Sequence, residues 1–486
     1  MQLGSALNAS AWAVSLGRCL TLLTHPYPTS CPQVLLFLQL IHFEASDLQR
    51  TVLLRAVNSL LSLKTPSTYL KCNDLMKDAK LIILKALSKQ TMPWASILIC
   101  LVYGSALAHG LIGDRSVDYE ATLNAKSLIE YWEYPAEEHD VTTDDGYILT
   151  IFRIPHGRAD RPDPGPRPVV FLQHGLLVDA ANWFQNLPHN SLAFMLADAG
   201  YDVWLGNSRG NSWSRRHHFL SPRSVEFWEF SFDQMAKYDL PASIDYVLQK
   251  TGQKQLFYIG HSQGTTMAFI AFSTNPRLAA KIKLYIALAP VATVKYAKTP
   301  LAKLSLLHEV QIKAMFGMKE FLPKTFFGSL VAAEFCSRNL LAPICGNLLF
   351  MLCGFNEKNL NLSRIDVYAA QVPSGTSVQN IIHWKQSILA GKLQAYDYGL
   401  FDNLARYGKV EPPEYNIRNM NVTTIVWSSG EDWLSGPEDV DMLIPKIKNL
   451  LYHEYIPEWN HLDFVFGLDA ADRMYYKIIE NLKENL

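Results

Sequence analysis

Apolar residues gather along this chain in short, nearly unbroken runs. Val169-Val170-Phe171-Leu172-Gln173, Leu256-Phe257-Tyr258-Ile259, Leu284-Tyr285-Ile286-Ala287-Leu288 and Thr423-Thr424-Ile425-Val426-Trp427 lack the polar alternation of a half-solvated strand. Each predicts a buried strand, and Leu450 to Ile456 predicts another near the carboxyl end. After Ile259 the pattern changes within a few residues to the small, helix-prone stretch Thr265 to Ser273, so a strand, a sharp turn and a helix follow one another there. Between the Leu284 and Thr423 runs lies a long insertion, Val291 to about Asn419, rich in Leu, Phe and Met. Its segments Lys303 to Phe316 and Phe326 to Phe335 are amphipathic or mostly apolar and predict helices.

The amino-terminal pattern is of another kind. Met92-Pro93-Trp94 opens an apolar run through Ile97 to Tyr103 that ends in Ala106-Leu107-Ala108, with Lys85 and Lys89 upstream. That is the form of a secretory signal with an A-x-A-like cleavage site, and the run is shorter than the roughly 20 residues of a bilayer span. The mature chain is therefore expected to start near His109 and to have no stable membrane span. Residues 1–91 are surplus to this arrangement and are read as an upstream extension. The remaining organisation is a core in two parts, 109–290 and 420–486, with a cap or lid insertion at 291–419. The whole chain has 486 residues, about half of them apolar, which is enough for a core of roughly 250 residues plus an inserted cap. A net charge of −1 gives no basic patch for nucleic acid and no polybasic tail for anionic membranes. The sequence holds no internal repeat, no metal-ligand cluster and no dinucleotide-binding glycine pattern, so no metal or other cofactor is implied.

The strand-to-helix turn carries Gly260-His261-Ser262-Gln263-Gly264. Two glycines remove Cβ atoms where strand and helix crowd together, so a serine can be held in a strained turn with its Oγ lifted toward substrate. The five-residue motif also recurs by chance, so its partners must decide. A serine hydroxyl needs a histidine to take its proton and a carboxylate to orient that histidine; in the nucleophile-elbow hydrolases these follow in the order Ser, acid, His. The run ending at Trp427 leads into Ser428-Ser429-Gly430-Glu431-Asp432, placing a carboxylate at a strand's carboxyl end, and Asp432 is the expected acid. Glu431, Asp439 and Asp463 remain rivals. The run ending at Ile456 leads into Pro457-Glu458-Trp459-Asn460-His461, and His461 is the expected general base. Two backbone N–H groups must face the developing oxyanion. Gln263, after the nucleophile, supplies one; Leu176, in the His174-Gly175-Leu176-Leu177 loop after the Val169 strand, supplies the other. His174 itself is expected to order that loop.

From about Ser127 onward the chain resembles the animal acid lipases, the gastric and lysosomal acid lipase family. The matching stretches are Leu172-Gln173-His174-Gly175-Leu176-Leu177, Gly206-Asn207-Ser208-Arg209-Gly210-Asn211, Lys237-Tyr238-Asp239-Leu240-Pro241-Ala242, Gly260 to Thr266 and Asn460-His461-Leu462-Asp463-Phe464. The stretch Leu352 to Asn361 is more similar to the lysosomal member. The resemblance implies an α/β-hydrolase fold with a mostly parallel sheet and a helical cap inserted after the sixth core strand. It places the triad on Ser262, Asp432 and His461 and the oxyanion donors on Leu176 and Gln263. It also implies a disulfide between Cys336 and Cys345, leaving Cys353 as a buried thiol. Departures are Ser429-Gly430, where the family usually has two glycines, and Asn124-Ala125-Lys126, where many members carry a glycan acceptor sequence. Asn361-Leu362-Ser363 and Asn421-Val422-Thr423 keep that sequence.

The expected activity is hydrolysis of long-chain acyl esters, triacylglycerols and cholesteryl esters, at a lipid interface through an acyl-Ser262 intermediate. The expected location is the secretory pathway and lysosome, with a sorting receptor engaged through the N-glycans. A secreted gastric- or epidermal-type lipase is the alternative, and a catalytically idle lipid-binding protein and an acyltransferase are alternatives of other classes. Trp384, Tyr396, Tyr398 and Phe401 are candidate substrate contacts that serve equally well as cap core.

Overall fold

Strands β1 (Glu137–Thr142), β2 (Tyr147–Ile154), β3 (Val169–Gln173), β4 (Asp202–Leu205), β5 (Arg216–His217), β6 (Leu256–His261), β7 (Ile282–Leu288), β10 (Thr424–Ser429) and β11 (Leu450–Ile456) make one sheet; β8 (Glu320–Phe321) and β9 (Thr376–Ser377) pair antiparallel in a second. The computed structural model describes residues 117–159, 165–337, 345–347 and 352–486. The signal segment, the upstream extension and parts of the insertion at 338–344 and 348–351 lie outside these described residues.

Along the main sheet the order is β1-β2-β4-β3-β6-β7-β10-β11, with β5 on β2. Every pair from β4 to β11 is parallel; β2 runs antiparallel to β1, β4 and β5. Successive strand residues point to opposite faces, and the apolar runs of β3, β6, β7 and β10 bury both. β11 departs from the expected buried strand: it lies at the end of the strand order, with one side of its backbone ladder against β10, and only Ile456 is buried. Val170, Leu172, Phe257, Ile259, Leu284 and Ile286 pack into a cluster with the helices Ala125–Tyr131, Leu192–Asp198 and Tyr476–Glu484. Their neighbours Val169, Phe171, Tyr258, Tyr285 and Val426 pack on the other face against the helices Leu240–Thr251 and Gln263–Thr274. The hairpin β1–β2 has weak apolar periodicity: β1 reads Glu-Glu-His-Asp-Val-Thr and only Val141 is buried. Polar contacts hold that edge instead, with Arg153 donating to Asp202 Oδ1 and Oδ2 at 2.8 Å each and to Glu137 Oε2 at 3.1 Å.

The segment between β7 and β10, the sixth and seventh strands of the eight-strand path, is mostly helical. Where one amphipathic helix is expected over Lys303 to Phe316, the structure has a 3-10 turn, Pro300–Leu306, and a separate helix, Glu309–Phe316. The break falls at His308, whose N–H donates to Gln311 Oε1 at 2.7 Å and whose carbonyl accepts the Gln311 N–H at 2.9 Å. The helix Phe326–Cys336 ends at a disulfide between Cys336 and Cys345, with Cα atoms 5.9 Å apart. Ile312, Phe321, Val378, Ile381, Ile382 and Tyr396 form the cap's own cluster. No helix among the described residues is long and apolar enough to cross a membrane.

Candidate active site

The carboxyl ends of β3, β6, β10 and β11 open on the same side of the sheet, and the loops that leave them meet. Ser262 stands between β6 and the helix Gln263–Thr274 at φ 54°, ψ −123°, a conformation that costs an L-residue of this kind roughly 1–3 kcal/mol. Its backbone is fixed from both sides: its N–H donates to Leu288 O at 3.1 Å, and its carbonyl accepts from Thr265 N and Oγ1 at 2.8 and 2.6 Å. The turn is also tight. A Cβ on Gly264 would stand 2.4 Å from the Gln173 carbonyl oxygen, and one on Gly175 would stand 2.8 Å from Ser262 Cβ.

His461 Nδ1 lies 2.7 Å from Asp432 Oδ2, with both side chains buried. The other carboxylate oxygen, Asp432 Oδ1, accepts the N–H groups of Leu434 and Ser435 at 2.8 and 2.7 Å, so the acid is fixed and cannot rotate away from the ring. That arrangement puts the proton on Nδ1 and leaves His461 Nε2 as a base. Nε2 has no hydrogen-bond partner among the described residues, so the bond to Ser262 Oγ is open in this conformer.

The rival carboxylates are engaged elsewhere. Asp439 accepts from Thr293 Oγ1 at 2.6 Å and from the N–H groups of Lys295 and Tyr296 at 3.0 and 2.8 Å. Asp463 accepts from Asn460 N, Asn356 Nδ2 and Asn359 Nδ2 at 2.6, 2.9 and 3.0 Å. Burial nevertheless pushes its carboxyl up to about 7. Glu431 is exposed.

Gln263 is the first residue of its helix, so its N–H has no intrahelical acceptor. The N–H of Leu176 also has no protein acceptor among the described residues. His174 holds the Leu176 loop: its Nδ1–H donates to Gly175 O at 2.7 Å, and its Nε2 accepts from Ser208 N at 3.0 Å. Burial lowers its pKa, which favours the neutral ring this pattern requires. His261 holds the backbone of His461, donating from Nε2 to its carbonyl at 3.0 Å, and burial pushes the His261 pKa down to about 3. The ring centroids of His261 and His461 are 5.0 Å apart, and after burial the neighbouring His461 adds to the lowering of the His261 pKa.

Cys353 is a free thiol, half-buried as a residue, and lies where the loops of Trp433 and His461 meet, its carbonyl accepting their N–H groups at 3.3 and 3.2 Å. Burial of the sulfur and then the neighbouring Asp432 charge push its thiol pKa up. Of the aromatic candidates, Tyr396 is buried in the cap cluster, Phe401 is exposed, Tyr398 is partly buried, and Trp384 donates from Nε1 to the Gln263 side chain at 2.8 Å. That last bond joins residues 121 apart in sequence and had no local signal. Asn421 is exposed before β10, and Asn361 is half-exposed.

Residues 168–468 match the family model described as "alpha/beta hydrolase fold", and residues 125–187 match "Partial alpha/beta-hydrolase lipase region". The chain is 55% identical to the gastric triacylglycerol lipase of Homo sapiens over 78% of its own length and 95% of that protein. It is 53% identical to the human lysosomal acid lipase/cholesteryl ester hydrolase over 81% of its length and 99% of that protein. It is also 53% identical to human lipase member K, over 79% of its length and 97% of that protein.

Proposed function

Because the chain belongs to the α/β-hydrolase family of acid lipases and is a carboxylic ester hydrolase, we propose that it cleaves long-chain acyl esters through an acyl-Ser262 intermediate. The observation that carries the proposal is the buried Asp432–His461 bond of 2.7 Å beside a serine at φ 54°. Ser262 Oγ attacks the ester carbonyl as His461 Nε2 takes its proton, and the N–H groups of Leu176 and Gln263 receive the oxyanion. His461 then gives the proton to the departing alcohol. Water enters, loses a proton to the same nitrogen and releases the acid.

Triacylglycerols and cholesteryl esters are the proposed substrates, since the two relatives named for substrates act on these. The proposed setting is the secretory pathway and then the lysosome, with Asn361 and Asn421 glycosylated and the glycan at Asn361 read by a sorting receptor. Purified protein assayed on triolein and cholesteryl oleate emulsions across pH tests the substrate reading. Release of oleate from both supports it. Hydrolysis of triolein alone points to a secreted gastric- or epidermal-type lipase, and transfer of oleate to added alcohol with water excluded points to an acyltransferase.

A further inference from the structure

The proposed oxyanion donors Leu176 and Gln263 leave different strands, yet one short piece of the cap holds both. Ser374 N–H donates to the Leu177 carbonyl at 2.7 Å, and Ser374 Oγ lies 2.8 Å from Asp179 Oδ2, so the cap chain grips the oxyanion loop at two points. A few residues on, Asn380 Nδ2 donates to Gln263 Oε1 at 2.9 Å. Trp384 Nε1 donates to the same oxygen at 2.8 Å. Both come from the helix Val378–Ala390, and their i, i+4 spacing puts them on one face. Asn380 cannot flip without loss, because its Oδ1 accepts Phe232 N–H at 2.9 Å and the residue is fully buried. A buried glutamine amide is costly unless bonded; here both bonds to its oxygen come from the cap, while its Nε2 donates to Met235 Sδ of the core at 3.4 Å.

We propose that residues 374–384 form a brace that sets the direction and spacing of both oxyanion donors, with Asn380 and Trp384 as positioning residues acting through the Gln263 side chain. The inference rests on the acyl-Ser262 reading and on Leu176 and Gln263 as its donors. The cap is then more than a roof over the acyl chain. A shift of about 1 Å in its helix misaims an N–H toward the oxyanion, a change felt by the transition state more than by bound substrate.

Trp384→Phe keeps the ring and removes one N–H; Asn380→Asp keeps the acceptor for Phe232 and turns a donor to Gln263 into a carboxylate oxygen. Each is assayed on soluble 4-nitrophenyl butyrate and for inhibition by an alkyl trifluoromethyl ketone, whose adduct with serine carries the oxyanion. The expected result is a fall of about tenfold in kcat with KM within about twofold, and an equal loss of ketone affinity. The double variant should lose less than the product of the two factors, because both bonds end on one oxygen. Wild-type kcat and ketone affinity in both variants, or a change confined to KM, overturns the brace. Ser262→Ala, run alongside, separates the two ideas: turnover by that variant sinks the acyl-serine reading itself, whereas its inactivity leaves that reading standing whatever the brace variants do. Should Asn380→Asp fail to fold, Trp384→Phe carries the test alone.

Discussion

Ser262 sits in a conformation that only its surroundings make tenable, and its hydroxyl is the one group whose loss the proposed chemistry cannot absorb. Ser262→Ala is therefore expected to lower ester hydrolysis by several orders of magnitude and to abolish labelling by a phosphonate, with far-UV circular dichroism unchanged. Asp432→Asn keeps the shape but favours the wrong imidazole tautomer; kcat should fall by about 10³–10⁴ with KM little altered. A larger kcat loss in Asp439→Asn or Asp463→Asn would move the acid elsewhere. Ser262 and Asp432 could be nominated from the sequence because each follows a buried run, β6 and β10, whereas His461 follows β11, in which only Ile456 is buried, and was nominated from its place on the loop after the last strand. The fixing of Gln263 by Asn380 was not, since nothing in a linear pattern says which buried amide will meet which.

Among the elements, the loop after β4 depends on one buried cation. Arg209 donates from Nε to Asp239 Oδ1 at 2.7 Å and from its two terminal nitrogens to Asp145 at 2.7 and 2.9 Å, with its guanidinium carbon 3.9 Å from the Tyr147 ring centroid. Its neighbour Ser208 is the residue that bonds His174, so this ion pair stands behind the oxyanion loop. Arg209→Met leaves Asp239 buried without its partner and should cost about 3–5 kcal/mol in urea unfolding. A loss below about 1 kcal/mol would show the site relaxing or hydrating. The buried strands β3, β6, β7 and β10 were readable from their apolar runs, as was the helix after Ser262, but the short buried strand β4 was not. The β1–β2 hairpin was not, because its edge strand is polar and is held by Arg153 rather than by an apolar stripe. The split at His308 was missed for a related reason: the residue before the second helix is not the Ser, Thr, Asp or Asn that marks a helix start.

For the molecule as a whole, burial sets opposing pH dependences. It pushes Asp463 up to about 7 and Asp239 up to about 6, so the folded state holds these protons more tightly than the unfolded chain. Their contribution is present below about pH 4 and is lost as pH rises through 6 to 7. The lowered pKa values of His174, His261 and His383 act oppositely, favouring the fold above the ordinary histidine value of about 6.5. The net slope depends on both sets, but a single substitution isolates one share. The deficit of Asp463→Asn relative to wild type should be larger at pH 5 than at pH 8 by on the order of 1 kcal/mol, read from paired thermal melts. A deficit that grows toward pH 8 would contradict the raised carboxyl. On destination, Asn361→Gln should reduce lysosomal delivery more than Asn421→Gln, followed by fractionation of expressing cells; equal retention after loss of both sites would remove the glycan route. The fold class was legible at this scale through the family resemblance that the motif stretches carry, with the apolar runs supplying the central strands. The interlocking of cap and core was not, being settled by contacts more than a hundred residues apart. The pairing of Ile286 on β7 with Ile425 on β10 has a further effect during synthesis. While the ribosome is still making the insertion, β7 presents Leu284 to Leu288 as an open, wholly apolar edge awaiting a strand not yet translated. The length of the cap thus sets how long a nascent chain stays prone to pairing with another, and slowing translation through residues 291–419 should raise its aggregation and its demand for chaperones.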